Sequence, residues 1–269
     1  MATTQQALLA WLEREVRACR PIGLRSFGSS TLRIERKSDR SPVTIADRLI
    51  EERLRRAIGR AFPHETVLGE EFGRSGSSLS TYWTIDPIDG TRAFSRGLPT
   101  WSIMVGRVED GRATIGVCDF PAIETTLAVA PGVEAYERSG GRLRRLCRPP
   151  HIAALQDAVL LHGGARWWMP TPYAKGFQRL VEACYLERAF GDCYGYLLAL
   201  RGWADAVIDY GVKPWDLVPL AALAHATGRR LTDFSGRDSF TGPQTLMASP
   251  SLLLHLVRCL RLGRGRRRS

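Results

Sequence analysis

In the stretch Tyr82-Trp83-Thr84-Ile85-Asp86-Pro87-Ile88-Asp89-Gly90-Thr91-Arg92-Ala93-Phe94, an apolar, strand-like run ends in an acid, a proline follows, and a second acid stands three residues on. Gly90 and Thr91 then turn the chain toward a helix. Pro87 has no backbone N–H, so the sequence predicts that the strand ladder stops there and that nearby carbonyls turn outward. Asp86 and Asp89 can then face one point from the end of a strand, with the Ile88 carbonyl between them. Oxygen-only donors of this kind suit a hard cation such as Mg²⁺. Taken alone, the same residues are explained as well by a solvated Asp-Gly turn.

Two further acidic stretches bear on that choice. Leu68-Gly69-Glu70-Glu71-Phe72-Gly73 places paired acids directly after the strand-like Thr66-Val67-Leu68. Near the other end, Lys213-Pro214-Trp215-Asp216-Leu217-Val218-Pro219 puts Asp216 in the first turn of a predicted helix. A surface loop accounts for Glu70 and Glu71, and complementation of the helix dipole accounts for Asp216. Each plain explanation stands singly; the three acidic groups together favour a shared cation.

Working outward, helical periodicity covers residues 3–19 and 44–61, and strand-like runs follow at 82–86, 102–108, 113–119 and 125–130. Glu109-Asp110-Gly111 between two of these runs is a hairpin signal. The first half therefore reads as helices laid on a mostly antiparallel sheet. Arg148-Pro149-Pro150 is a natural joint. Beyond it, strands at 158–161, 186–189 and 204–209 alternate with helices at 173–183, 193–201 and 215–226, the rhythm of an α/β half, and 251–261 closes as a helix. The expected division is 1–147, carrying most of the acids, and 148–269, carrying Asp216.

The global numbers exclude several classes. A chain of 269 residues with 44% hydrophobic and 24% charged residues is an ordinary globular composition, long enough for one large domain or two tightly joined halves. No apolar run approaches the ~20 residues of a bilayer span, and the acid-bearing N-terminal stretch lacks the basic region of a signal peptide. Cys19, Cys118, Cys147, Cys184, Cys193 and Cys259 form no C-x-x-C pair, which argues against zinc and against a disulfide framework and suits a reducing cytoplasm. The net charge of +11 is arginine-rich, with six arginines from Arg258 to Arg268. Such a tail can bind nucleic acid, but a solvated terminus is the favoured reading.

Read in order, the motifs resemble the inositol monophosphatase family nearly end to end. Ser41-Pro42-Val43-Thr44-Ile45-Ala46-Asp47 matches its early motif, Gly69-Glu70-Glu71 its glutamate motif, Asp86-Pro87-Ile88-Asp89-Gly90-Thr91 its central signature and Trp215-Asp216 its C-terminal one. The resemblance implies an α-β-α-β-α layered sandwich and a lithium-sensitive, Mg²⁺-dependent phosphatase with two or three cations per site. By it, Glu70, Asp86 and the Ile88 carbonyl hold the first cation, Asp86, Asp89 and Asp216 the second, and Glu70 helps retain a weaker third. Thr91 with Asp47 orients the attacking water, with Glu70 also accepting from it, and the Gly90 and Thr91 amides hold phosphate oxygens. Lys37 falls where the family often carries a lysine. Relatives are commonly homodimers, and they end the helix after Trp-Asp in E-A-G-G, whereas this chain reads His225-Ala226-Thr227-Gly228.

The substrate is read from Arg188-Ala189-Phe190-Gly191-Asp192-Cys193-Tyr194-Gly195-Tyr196. Inositol-selective relatives carry small or hydroxyl residues after this glycine; the aspartate here resembles the branch acting as histidinol-phosphatase in histidine biosynthesis. Asp192 can pair with the ammonium group of histidinol phosphate, an aromatic can stack on its imidazole, and Arg188 and Asp209 are further candidates for substrate contact. An N-cap on the following helix is the plain reading of Asp192, and core packing that of Tyr196. Inositol 1-phosphate and adenosine 3′,5′-bisphosphate are rival substrates. His162 is expected to be structural, and Trp167 and Trp168 to line either the substrate mouth or a dimer contact.

Overall fold

Leu9, Leu12 and Val16 recur at helical spacing and bury one face of α1 (Ala2–Arg17). In the computed structural model, which describes residues 2–29, 34–36, 42–146, 148–149 and 151–261, a short α2 (Arg20–Ser26) follows. Arg20 of α2 grips the buried Asp119 through two nitrogens, at 2.9 and 2.7 Å. β1 (Ile34–Arg36) and β2 (Pro42–Thr44) pair antiparallel and lead into α3 (Ile45–Ala61). Thr44 caps α3 in a reciprocal box with Asp47, which starts the helix where the sequence placed it.

The chain then builds β3 (Thr66–Gly69), β4 (Gly73–Ser75), β5 (Tyr82–Asp89), a single turn α4 (Thr91–Phe94), β6 (Ser102–Glu109), β7 (Arg112–Phe120), β8 (Thr125–Ala130), β9 (Val133–Ser139) and β10 (Arg142–Arg145). These eight strands form one sheet in the order β10-β9-β8-β7-β6-β5-β3-β4, antiparallel throughout except for β3 beside β5. Asp110 and Gly111, both at positive φ, make the expected tight hairpin between β6 and β7.

The later strands β11 (Val159–His162), β12 (Leu186–Arg188), β13 (Ala206–Tyr210), β14 (Arg230–Thr232) and β15 (Gln244–Ala248) form a second, mixed sheet in the order β12-β11-β13-β15-β14. Between them run α5 (Ala165–Trp168), α6 (Ala174–Ala183), α7 (Asp192–Leu200) and α8 (Pro214–Ala226), and α9 (Pro250–Arg261) follows β15. β14 and β15 pair antiparallel, an addition to the strand–helix alternation expected from the sequence.

The fold divides into two compact units. The first takes the described residues of Met1–Arg145 together with Val218–Leu223, and the second those of Leu146–Leu217 and Ala224–Ser269. In the first unit, Trp83, Ile85, Ile103, Val105, Ile115 and Val117 face α1 and α3 and form the core. Trp83 and Trp101 are fully buried, and each contributes roughly 4–6 kcal/mol of burial before conformational entropy is counted. Gly106 and Gly116 point to the opposite face by strand alternation, and there Val218 and Pro219 of α8 lie against them. In the second unit, Leu160, Ala206, Ile208, Leu246 and Ala248 pack beneath α6 and α9. Trp168 belongs to that core, stacked on Phe177 at 4.6 Å and on Phe234 at 5.6 Å, so it lines no mouth; Trp167 beside it is 45% exposed. The five described cysteines are free thiols, and no described helix is long and apolar enough to cross a membrane.

Candidate functional site

Pro87 does not end its strand, contrary to the sequence expectation. β5 continues to Asp89, and its ladder with β6 shifts register between Asp86, opposite Met104, and Asp89, opposite Ser102. Three steps along β5 thus match two along β6, a bulge that absorbs the missing proline donor. The consequence is chemical. In a regular strand, residues three apart face opposite sides of the sheet; one extra residue returns the second to the side of the first. The bulge therefore places Asp86 and Asp89 together, as the chain-end argument had required by another route.

Both acids are buried, at 2% and 8% exposure. Asp86 accepts from the Ile88 amide at 3.0 Å across the bulge, and Asp89 accepts from the Ser102 hydroxyl at 3.3 Å. Asp216 is set by α8, whose mid-section rests on Gly106 and Gly116; its carboxylate accepts the Lys213 amide at 2.7 Å and so also caps the helix. One carboxylate oxygen from each of Asp86, Asp89 and Asp216 lies within 4.8 Å of the other two. Three partly or fully buried carboxylates at that spacing repel one another, and an all-oxygen set of this kind fits a hard divalent cation. Glu70 stands outside this trio, at the end of β3, where its amide donates to the Ile85 carbonyl at 3.1 Å.

Asp47 is fully buried, within electrostatic reach of Glu71 and Glu70. Its carboxylate accepts from the Thr44 amide at 2.8 Å and the Thr44 hydroxyl at 2.6 Å. Burial pushes its pKa up, Thr44 holds it down in part, and Glu71 and Glu70 raise it further, to about 7. The Thr91 hydroxyl lies 3.5 Å from Asp47 but donates its shorter bond, 2.9 Å, to the Ile88 carbonyl. Gly90 precedes the single turn of α4 at φ +78°.

A raised carboxyl pKa has a definite sign in folding. The folded state then binds the proton more tightly than the unfolded chain, so its contribution is complete below about pH 4, falls as pH climbs, and is gone above about pH 7. Stripped of cations, the protein is expected to lose stability relative to its Asp47→Asn variant between pH 4 and 7. Chemical denaturation of the two proteins across that range measures the difference; parallel profiles would contradict it.

In the second unit, Asp209 is buried at the end of β13 and accepts the Tyr210 amide at 2.9 Å. Its pKa is pushed to about 7, chiefly by burial, then by Asp192, with Asp216 adding to the rise and the Tyr210 and Asp192 amides opposing it. Gly191, and not Asp192, is the N-cap of α7; Asp192 is its first residue, at φ +55° in the left-handed region. Tyr196 is core. Arg188 is exposed at the end of β12 and donates to the Glu187 carbonyl at 2.6 Å. His162 is structural as expected: its ring nitrogens meet the Gly163 carbonyl and Glu187, and its ring packs edge-on against Phe177. Lys37, Ser41, Cys147 and the tail beyond Arg261 lie outside the described residues.

Two helix-packed sheets, with carboxylates gathered beside a strand bulge, fit a metal-dependent phosphatase acting on phosphate monoesters. The chain belongs to the inositol monophosphatase family, whose model matches residues 4–259. It is 35% identical to the histidinol-phosphatase of Mycobacterium tuberculosis over 210 residues, covering 78% of this chain and 81% of that one. Against the histidinol-phosphatase of Chlorobaculum parvum it is 30% identical over 226 residues, covering 83% and 84%. The fold matches the crystal structure of the extragenic suppressor protein suhB from Bartonella henselae with a TM-score of 0.84 and 20% identity, over 95% of this chain and 98% of that one.

Proposed function

We propose that this phosphatase hydrolyses L-histidinol phosphate with Mg²⁺ as its cofactor. Asp86, the Ile88 carbonyl, Asp89, Asp216 and Glu70 are the donors for two or three cations. When bound, these supply positive charge to the phosphoryl oxygens and the leaving alkoxide and make a nearby water more acidic. The protein's own part is placement. Thr91, Asp47 and Glu70 orient the attacking water, and the Gly90 and Thr91 amides hold phosphate oxygens. Asp47 has the placement for this work: it is buried, fixed by the Thr44 amide and hydroxyl, and lies 3.5 Å from the Thr91 hydroxyl.

The observation that carries the substrate is the meeting of Asp192 and Asp209. A buried carboxyl pushed up to about 7 by burial and by a second acid is an unfavourable arrangement until a cation joins it. Histidinol phosphate brings an ammonium and a titratable imidazole; inositol 1-phosphate brings neither. The identity of 30–35% to two histidinol-phosphatases supports the same choice. Arg188 completes the substrate set as a surface contact.

The test is phosphate release, with Mg²⁺, from L-histidinol phosphate, inositol 1-phosphate and adenosine 3′,5′-bisphosphate. Histidinol phosphate is expected to have the highest kcat/KM. Asp192→Asn is expected to lower kcat/KM for it by about tenfold or more, the worth of a charge-assisted hydrogen bond, and to leave the other two nearly unchanged. A preference for either rival ester in the wild type rules the substrate out.

A further inference from the structure

Glu51 has no place in the chemistry above, yet its side chain is wholly buried. It sits one turn after Asp47 on α3 and reaches the turn between β3 and β4. One carboxylate oxygen accepts the Glu71 amide at 2.7 Å; the other accepts the Phe72 amide at 3.2 Å and Arg55 Nε at 2.7 Å. Arg55, four residues on along α3, closes the far side of the same turn through the Gly73 carbonyl and the Ser75 hydroxyl, the latter at 3.1 Å. The amide of Glu70 itself is taken by Ile85 at 3.1 Å. Every amide from Glu70 to Phe72 thus has a fixed acceptor, two of the three on one buried carboxylate.

We propose that Glu51 and Arg55 are positioning residues that hold the Glu70 carboxylate in register with the cation site; the proposal rests on the reading of Glu70 as a cation ligand. A buried charge is costly and is kept only where paired and fully hydrogen-bonded, as this one is. The arrangement also accounts for the glycine in Gly69-Glu70-Glu71. A Cβ at Gly69 would stand 2.0 Å from a Glu51 carboxylate oxygen and 2.8 Å from an Arg55 nitrogen, so a side chain there evicts the clamp.

Mn²⁺ binding to the full-length protein, followed by electron paramagnetic resonance, tests this together with amide exchange at Glu71 and Phe72. Glu51→Gln puts an NH₂ or a single oxygen where two acceptors are needed. It is expected to weaken Mn²⁺ binding about ten- to a hundredfold, the range seen when support of a metal ligand is lost, and to speed exchange at both amides. KM for the ester at saturating metal should stay within about twofold, which general destabilisation would not arrange. Should Glu51→Gln fail to fold, Gly69→Ala gives the same readouts. Its penalty should shrink in a Glu51→Ala background, because the added methyl and the Glu51 carboxylate compete for one volume. Faster exchange with unchanged Mn²⁺ affinity in Glu51→Gln, while Glu70→Gln weakens binding, overturns the positioning role. Unchanged affinity in Glu70→Gln removes the ligand reading beneath it instead, and the exchange data separate the two failures.

Discussion

Asp89→Asn is expected to abolish turnover in a protein that stays folded and, without cations, melts higher than the wild type. Asparagine has the volume of aspartate, and its side-chain oxygen can still accept the Ser102 hydroxyl now bonded at 3.3 Å. What disappears is one negative charge from three carboxylates whose oxygens lie within 4.8 Å of one another. Without cations that charge adds to the repulsion among the three acids, while the Ser102 hydrogen bond survives in the variant, so losing the charge raises stability. In the working site it is part of the field that holds cations and phosphate. Losing one neutral donor from such a field already costs on the order of 10²–10³-fold in kcat, and losing a full ligand charge should cost more, leaving no turnover above background. Thermal melting with and without Mg²⁺ reads both halves. The wild type gains stability from the ion by mass action, and the variant should gain little. A variant that melts lower than wild type in EDTA, or that keeps its Mg²⁺ shift and its turnover, would show Asp89 to be an ordinary structural acid.

That prediction depends on a feature only half visible in the sequence. The acids were legible because each lies in a short local pattern, Asp86-Pro87-Ile88-Asp89-Gly90, Gly69-Glu70-Glu71 or Trp215-Asp216. The device that turns the first pair to one side was not. Pro87 suggests a broken strand, whereas β5 resumes at Asp89 opposite Ser102. A bulge is a property of two strands, and nothing within one of them announces how many residues its neighbour will offer. The same limit hid Glu51. Its partners are the backbone amides of Glu71 and Phe72, twenty and twenty-one residues away, and amides carry no sequence signature. The Asp47–Glu51–Arg55 spacing along one helix was the available signal.

The elements missed elsewhere have equally plain causes. α2 is seven residues long and contains both Pro21 and Gly23, so its periodicity is too short to register. β10 is exposed along its whole length, and β9 only partly buried, so their residues lack the alternation of a half-buried strand. Trp167 and Trp168 are neighbours on a single helical turn, one in solvent and one in the core, and identical residue types cannot tell that story. By contrast α3 and the β6–β7 hairpin were legible because their stop and start signals, Thr44 with Asp47 and Asp110-Gly111, act within four residues.

Gly116→Val joins the fold to the site and carries the other large effect. Gly116 on β7 faces α8 so closely that a Cβ would lie 2.3 Å from the Pro219 carbonyl oxygen and 3.0 Å from that residue's Cα. Those are backbone atoms of a helix, and no rotamer change can make room. Pro219 also lacks the N–H that would brace that turn, so the easiest relief is for α8 to lift from the sheet. Overpacking of this kind costs about 1–3 kcal/mol, and valine adds two methyl groups beyond the first clash. A loss of about 3 kcal/mol lowers Tm by roughly 6–12 °C in a chain of this size. The more telling consequence lies at the first turn of the same helix. Asp216 is three residues before Pro219, and its place beside Asp86 and Asp89 is inherited from the seat of α8 on Gly106 and Gly116. Mg²⁺ half-saturation should therefore rise at least tenfold even at a temperature where the variant is fully folded. As a control, a buried change on the other face of the sheet, Ile115→Val, should lower Tm without moving the metal requirement, since Ile115 packs in the α1–α3 core. Equal Mg²⁺ half-saturation in the two variants would mean that Asp216 finds its position independently of the sheet, and the link between glycine, helix and carboxylate would fail.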